Sequence, residues 1–206
     1  MNREALEQPI RDACAAGERD RAATLTLEAY GREVLGFLIA RLGEQDGNDV
    51  FSDLLEDLWV GLPGFAWRSS LRTWLYTLAR HAISQHARGA RRRREAPLET
   101  GSELSAVVER VRTDTAIHLR TPVKNRFREL RKRLSDEQQT LLILRIDREL
   151  SWRELAEVMC DGEPLETEDE LAKASARLRQ RFQTAKDRLR ELAEAEGLLP
   201  LGDGDE

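Results

Sequence analysis

With only two cysteines in 206 residues, Cys14 and Cys160, the chain has neither a disulfide framework nor a paired-cysteine zinc site, and it fits a reducing cytoplasm. Helix breakers are few, with 6 prolines and 13 glycines. That scarcity favours a mostly helical chain with short connections. No apolar run approaches the ~20 residues that span a bilayer. The N-terminal stretch MNREALEQPIRDACAAGERD has no apolar core long enough for a signal peptide. A cytoplasmic protein with no membrane insertion is expected. There is no glycine-rich phosphate loop and no nucleophile motif. His81 and His86 have the wrong spacing to place two metal ligands on one helical face, and His118 has no evident partner. No enzyme activity, metal or cofactor is expected.

What the chain does have is charge, sorted by position. Its formal net charge is −5. Residues 1–67 hold 6 basic and 13 acidic side chains, a balance of −7. Residues 68–94 hold 8 arginines and no acid, and residues 95–206 hold 19 basic and 25 acidic side chains. A basic stripe binds phosphate whatever the molecule's total, because salt confines each field to roughly 10 Å. The acidic remainder suits a different, basic partner.

Helical periodicity runs through the chain. Val34, Leu35, Leu38, Ile39 and Leu42 form a stripe ending near Gly43, and Asp49 can open a helix carrying Val50, Leu54, Leu55, Leu58 and Leu62. Ser70 can cap a third helix, with Leu71, Trp74, Leu75, Leu78 and Ile83 on its apolar face. Arg72, Tyr76, Arg80, Ser84 and Arg88 recur every four residues on another face. Trp74 therefore reads as core, and Tyr76 as part of the arginine face. GARRRREAPLETG, residues 89–101, breaks the pattern as a domain boundary would. A helix over 103–119 and another opening at Thr121–Pro122 follow. Ser135–Gln138, Ser151–Glu154 and Thr167–Glu170 are capping-box patterns. No strand-like alternation and no repeat are present.

Three constellations carry chemistry. Arginines on one face with aromatic rings nearby suit single-stranded or melting DNA, through phosphate contacts and base stacking. LSWRELAEVM followed by a basic helix has the order of a helix-turn-helix, in which Arg and Gln can read base edges. From 171 to 190 that helix holds seven basic residues and one acid. DGNDVFSDLLEDLWVGL has an acidic polar face at Asp46, Asp49, Asp53, Glu56 and Asp57, a solvated face or a dock for a basic partner helix.

The order of "DLLEDLWVGLPGF", "SSLRTWLYTLARHAISQHARGARRRR", "LSDEQQTLLILRIDRELSWRELAEVM" and "RLRQRFQTAKDRLRELA" resembles the small sigma factors of bacterial RNA polymerase, of the extracytoplasmic-function type. The resemblance covers about residues 20–95 and 123–193, with LRTWLYTLAR its most specific piece. It implies core-polymerase binding through Asp49, Ser52, Asp53, Leu58 and Trp59. It implies contact with the minus-ten promoter element through Trp67, Arg68, Arg72, Tyr76, Arg80, His81, Arg88, Arg91 and Arg92. The minus-thirty-five element would be read by Arg177, Arg179, Gln180, Arg181 and Thr184. Core polymerase and promoter DNA are the implied partners, with room for an anti-sigma factor. The chain departs from the family pattern at Ser52–Asp53, where Gln followed by an acid is usual. It departs again at Asp57, where Arg shortly before the Trp is common, and in the segment 161–176, which extends the turn.

The expected architecture is all-α with two helical domains. Residues 8–94 would bind polymerase and melt the promoter, and 95–121 would be a linker with a helix in it. Residues 122–196 would form a helix-turn-helix with an extended turn and a long last helix, and 197–206 a disordered tail. The expected function is a transcription initiation factor. The alternative is a helical adaptor or sigma-derived regulator that docks on polymerase or another protein without reading a promoter.

Overall fold

The computed structural model describes residues 3–89, 102–118, 129–160, 165 and 167–198. Every regular element among the described residues is helical. The chain forms two compact units, residues 1–120 and 121–206. Arg91, Arg92, residues 121–128 at the start of the helix expected to open at Thr121, and the segment 199–206 lie outside the described residues.

The first unit is built on α2 (Arg19–Leu42), which packs against α1 (Arg3–Ala15), α3 (Glu44–Gly61), α4 (Leu71–Ala87) and α5 (Ser102–His118). Its central role explains why Leu27, Tyr30, Val34, Leu35, Phe37, Leu38 and Ile39 are all buried, on more than one face. Gly43 ends α2 as expected, but α3 starts at Glu44, a turn before Asp49. Gly47 does not break the helix there. It sits against α2 so closely that a Cβ on it would lie 2.9 Å from the Ile39 backbone. Tertiary contact outweighs its low helix propensity.

Two carboxylates fix α4. Ser70 caps the helix, its hydroxyl accepting from the Thr73 N–H at 3.1 Å. Glu7 of α1 is buried and accepts from the Leu71 N–H at 3.0 Å and from the Tyr30 hydroxyl at 3.1 Å. The site at a helix start is favourable for an anion. Burial and the Glu7 charge raise the Tyr30 pKa above the ordinary phenol value. Glu33 of α2 accepts from Arg72 Nε at 2.8 Å and from the Tyr76 hydroxyl at 2.7 Å. The helix expected at 103–119 is α5, and it belongs to the first unit, with Leu104, Val107 and Val111 buried on one stripe.

In the second unit, α6 (Asp136–Leu142) continues into a π turn over Ile143–Asp147, then α7 (Trp152–Met159) and α8 (Glu168–Ala195) follow. All three expected capping boxes are formed, at Ser135, Ser151 and Thr167. The lower half of α8 closes the core with Leu130, Leu134, Leu142, Ala185, Leu192 and Ala193. The helix ends in a Schellman pattern: Leu198 N–H donates to Ala193 O at 2.8 Å and Gly197 N–H to Glu194 O at 3.0 Å. Gly197 and Leu198 therefore depart from the disordered tail expected from 197 onward, because Leu198 packs on this core.

Candidate functional site

The loop before α4 is held by an aromatic stack. Phe65 lies 4.8 Å from Trp74, stacked, and 4.9 Å from Trp67, tilted. The guanidinium of Arg11 covers the Trp67 ring at 4.4 Å. Trp67 holds φ 57°, a left-handed conformation that is uncommon for a bulky residue, so the stack fixes the backbone in a costly shape. Arg68, next in sequence, is exposed.

Trp74 and Tyr76 exchange the parts expected of them. Trp74 is half-buried in the stack rather than in the core. Tyr76 is 0% exposed, edge-on to Phe37 at a centroid distance of 5.4 Å. No base can stack on it. Arg72 is spent on Glu33, in an ion pair whose side chains are 14% and 26% exposed. The four-residue spacing placed Arg72 and Tyr76 with Arg80 and Arg88, but the Glu33 carboxylate draws the first two toward α2. Arg80 is half-buried and engaged. The exposed face of α4 carries His81, Ser84 and Arg88. Together with Arg68 these can meet phosphate.

On α3, Val50, Phe51, Leu54 and Leu58 face the core. Leu58 is 1% exposed, so it supports the helix and offers no surface to a partner. Asp49, Ser52, Asp53 and Glu56 follow one another at helical spacing and are half-exposed. Asp49 and Asp53 are engaged within the chain. The Ser52 hydroxyl donates to the Asn48 carbonyl at 3.2 Å and accepts from Arg112 Nη2 at 2.8 Å. Trp59 turns elsewhere: its Nε1 donates to Asp20 at 3.0 Å, with Arg19 over its ring at 5.6 Å. It lines a hollow with Thr24, Glu28 and Leu104, apart from the acidic stripe.

In the second unit Trp152 opens α7 and organises two arginines. Arg145 lies 4.7 Å and Arg179 5.7 Å from its ring, while Phe182 meets it edge-on at 5.5 Å. The Ser175 hydroxyl donates to the Trp152 carbonyl at 3.1 Å, locking α7 to α8. Arg177, Gln180 and Thr184 lie on one exposed face of α8. Arg181 is exposed but paired with Glu137 at 2.5 Å. The acids at the start of α8 each have work within the unit. Glu168 pairs with Arg153 at 2.8 Å, Asp169 with Lys173 at 2.6 Å, and Glu170 closes the capping box.

Sequence reasoning missed Glu7, Arg11, Glu33 and Arg112. Only Glu33 left a trace, as a lone acid among the apolar residues Tyr30, Val34 and Phe37. Among the described residues no cluster of three or more His, Cys, Asp or Glu could hold a metal ion. No described helix is long and apolar enough to cross a membrane.

Comparison with known proteins agrees with this arrangement. The family model for Sigma-70 region 2 matches residues 26–93, from α2 through the basic end of α4 and beyond. The RNA polymerase sigma factor YlaC of Bacillus subtilis is 31% identical over 136 residues, 63% of this chain and 75% of that protein. The ECF RNA polymerase sigma factor SigG of Mycobacterium tuberculosis is 37% identical over 87 residues, 42% of this chain but 23% of the relative. The chain belongs to the RNA polymerase sigma factors, of the ECF type, and is a transcription initiation factor.

Proposed function

We propose that the two charged faces of the first unit divide the work of initiation. The acidic stripe Asp49–Ser52–Asp53, with Glu56 beside it, docks on a basic helical surface of core RNA polymerase. Trp67, Arg68, His81 and Arg88, continued by Arg80, Arg91 and Arg92, track the minus-ten element of promoter DNA. Opening is driven by capture of unpaired bases, with no catalytic step by this chain. In the second unit Arg177, Gln180 and Thr184 meet the minus-thirty-five element, with Arg179 and Arg181 flanking them. A cytoplasmic location goes with this reading, and an anti-sigma factor would act by covering either face.

The observation that carries the proposal is the separation of charge on adjacent helices: an acidic stripe on α3 and an exposed, acid-free face on α4. One helix face suits a basic protein and the other suits phosphate. Transcription in vitro with core polymerase and a cognate promoter tests it. Asp49→Lys with Asp53→Lys is expected to weaken binding to core polymerase at least tenfold. Unchanged binding would return the α3 face to mere solvation, and promoter-independent docking would favour an adaptor.

A further inference from the structure

The acidic stripe of α3 already has a cation on it. Asp49, Ser52, Asp53 and Glu56 share a face, and the Ser52 hydroxyl at its centre accepts from Arg112 of α5 at 2.8 Å. The contact joins residues 60 positions apart. It is part of a wider docking of α5 on α2. Leu104, Val107 and Val111 are buried there. Gly31 leaves room for Val111, since a Cβ at Gly31 would lie 2.9 Å from Val111 Cγ2. Arg110 stands 3.7 Å from Glu28 and Asp114 3.6 Å from Arg32. The helix is thus seated in one register, and that register delivers Arg112 to Ser52.

The fit of the guanidinium is incomplete. Nη1 reaches Glu109 only at 3.9 Å, and Nε is buried with no hydrogen-bond partner. A buried donor without an acceptor is held at a cost. The side chain is 35% exposed, so it can swing to solvent without unseating the helix.

We propose that Arg112 is an intramolecular competitor for the polymerase-docking face, occupying Ser52 until a basic partner helix displaces it. The proposal rests on the reading of α3 as that face. A basic partner and the Arg112 guanidinium seek the same acceptors, and like charges side by side oppose each other. Docking therefore proceeds against this contact, which lowers affinity.

The test is a titration of the full chain against core RNA polymerase at fixed ionic strength. Arg112→Met keeps the aliphatic stem and removes the charge. It is expected to tighten binding three- to tenfold, with an unchanged melting temperature. Arg112→Gln is measured beside it, so that loss of packing in one variant does not decide the outcome. Affinity that is unchanged or weaker in both variants overturns the competition. The charge reversal at Asp49 and Asp53 is run in parallel. If that pair has no effect, the docking reading itself fails; if it weakens binding while the Arg112 variants do not tighten it, only the competition fails.

Discussion

The Tyr76 hydroxyl donates to Glu33 at 2.7 Å, from a ring fully enclosed between α4 and α2. The same carboxylate oxygen takes the Nε of Arg72. One acid on α2 thereby removes two residues from the DNA-facing side of α4 and uses them to hold the helix. Tyr76→Ala should cost about 3–5 kcal/mol of stability, in the range of other large aromatic truncations. Tyr76→Phe keeps the ring and should cost about 1.5 kcal/mol, for one hydrogen bond to a charged group. Denaturant unfolding measures both. A stable Tyr76→Ala protein defective only in promoter opening would restore the base-stacking role.

The exposed arginines should behave in the opposite way. Arg68→Ala with Arg88→Ala is expected to leave the melting temperature unchanged and to weaken promoter binding. The slope of log affinity against log salt should fall by roughly one unit per arginine. A permanganate footprint reports whether opening is lost together with binding.

On α8 the residues divide by whether they already have a partner. Gln180→Ala should relax preference at one base pair, by about 1–3 kcal/mol of discrimination if it reads a base edge. Arg177→Ala should weaken binding to all sequences alike. Arg181 is held by Glu137, so Glu137→Gln should release it and raise affinity for upstream duplex DNA. A fall in affinity would show that the pair orients Arg181 for the DNA.

Glu157 offers a pH test inside the fold. Burial raises its pKa, and Arg153 offsets this only in part, at 3.6 Å with its own side chain 59% exposed. A carboxyl whose folded pKa exceeds its unfolded value favours the folded state at low pH. That contribution is lost as pH rises from the ordinary carboxylate range through the raised value. At neutral pH the charge is held at a cost, so Glu157→Gln should raise the melting temperature there. The gain should vanish in acid. Thermal melts of both proteins at pH 4 and pH 7 decide it.

What could be read from the sequence was what depends on neighbours along the chain. The capping boxes at Ser135, Ser151 and Thr167 are four-residue patterns, and all three are formed. The start of α8 at Glu168 and its length of 28 residues followed from a cap and the absence of breakers. Tyr76 and Trp74 could not be sorted the same way. They lie two positions apart, at the edges of one apolar stripe, and the choice between them was made by Glu33 and Phe65 on other segments. Arg112 was legible as a helical residue, but its seat on Ser52 depends on the close approach at Gly31.

The bond from Leu71 to Glu7 spans 64 residues and has a bearing on how the unit assembles. The carboxylate is made first, on the opening helix; Tyr30 can supply one of its donors early, but the Leu71 N–H arrives only when the start of α4 emerges. Until then a charged group destined for burial lacks one of its two donors, so α1 is held less firmly in its final place. Helix formation itself takes microseconds or less, whereas closing long stretches of chain is slow and grows slower with sequence separation. The seating of α1 is therefore paced by the arrival of the start of α4. A nascent chain halted before residue 71 should leave α1 open to proteolysis, however well α2 and α3 have formed.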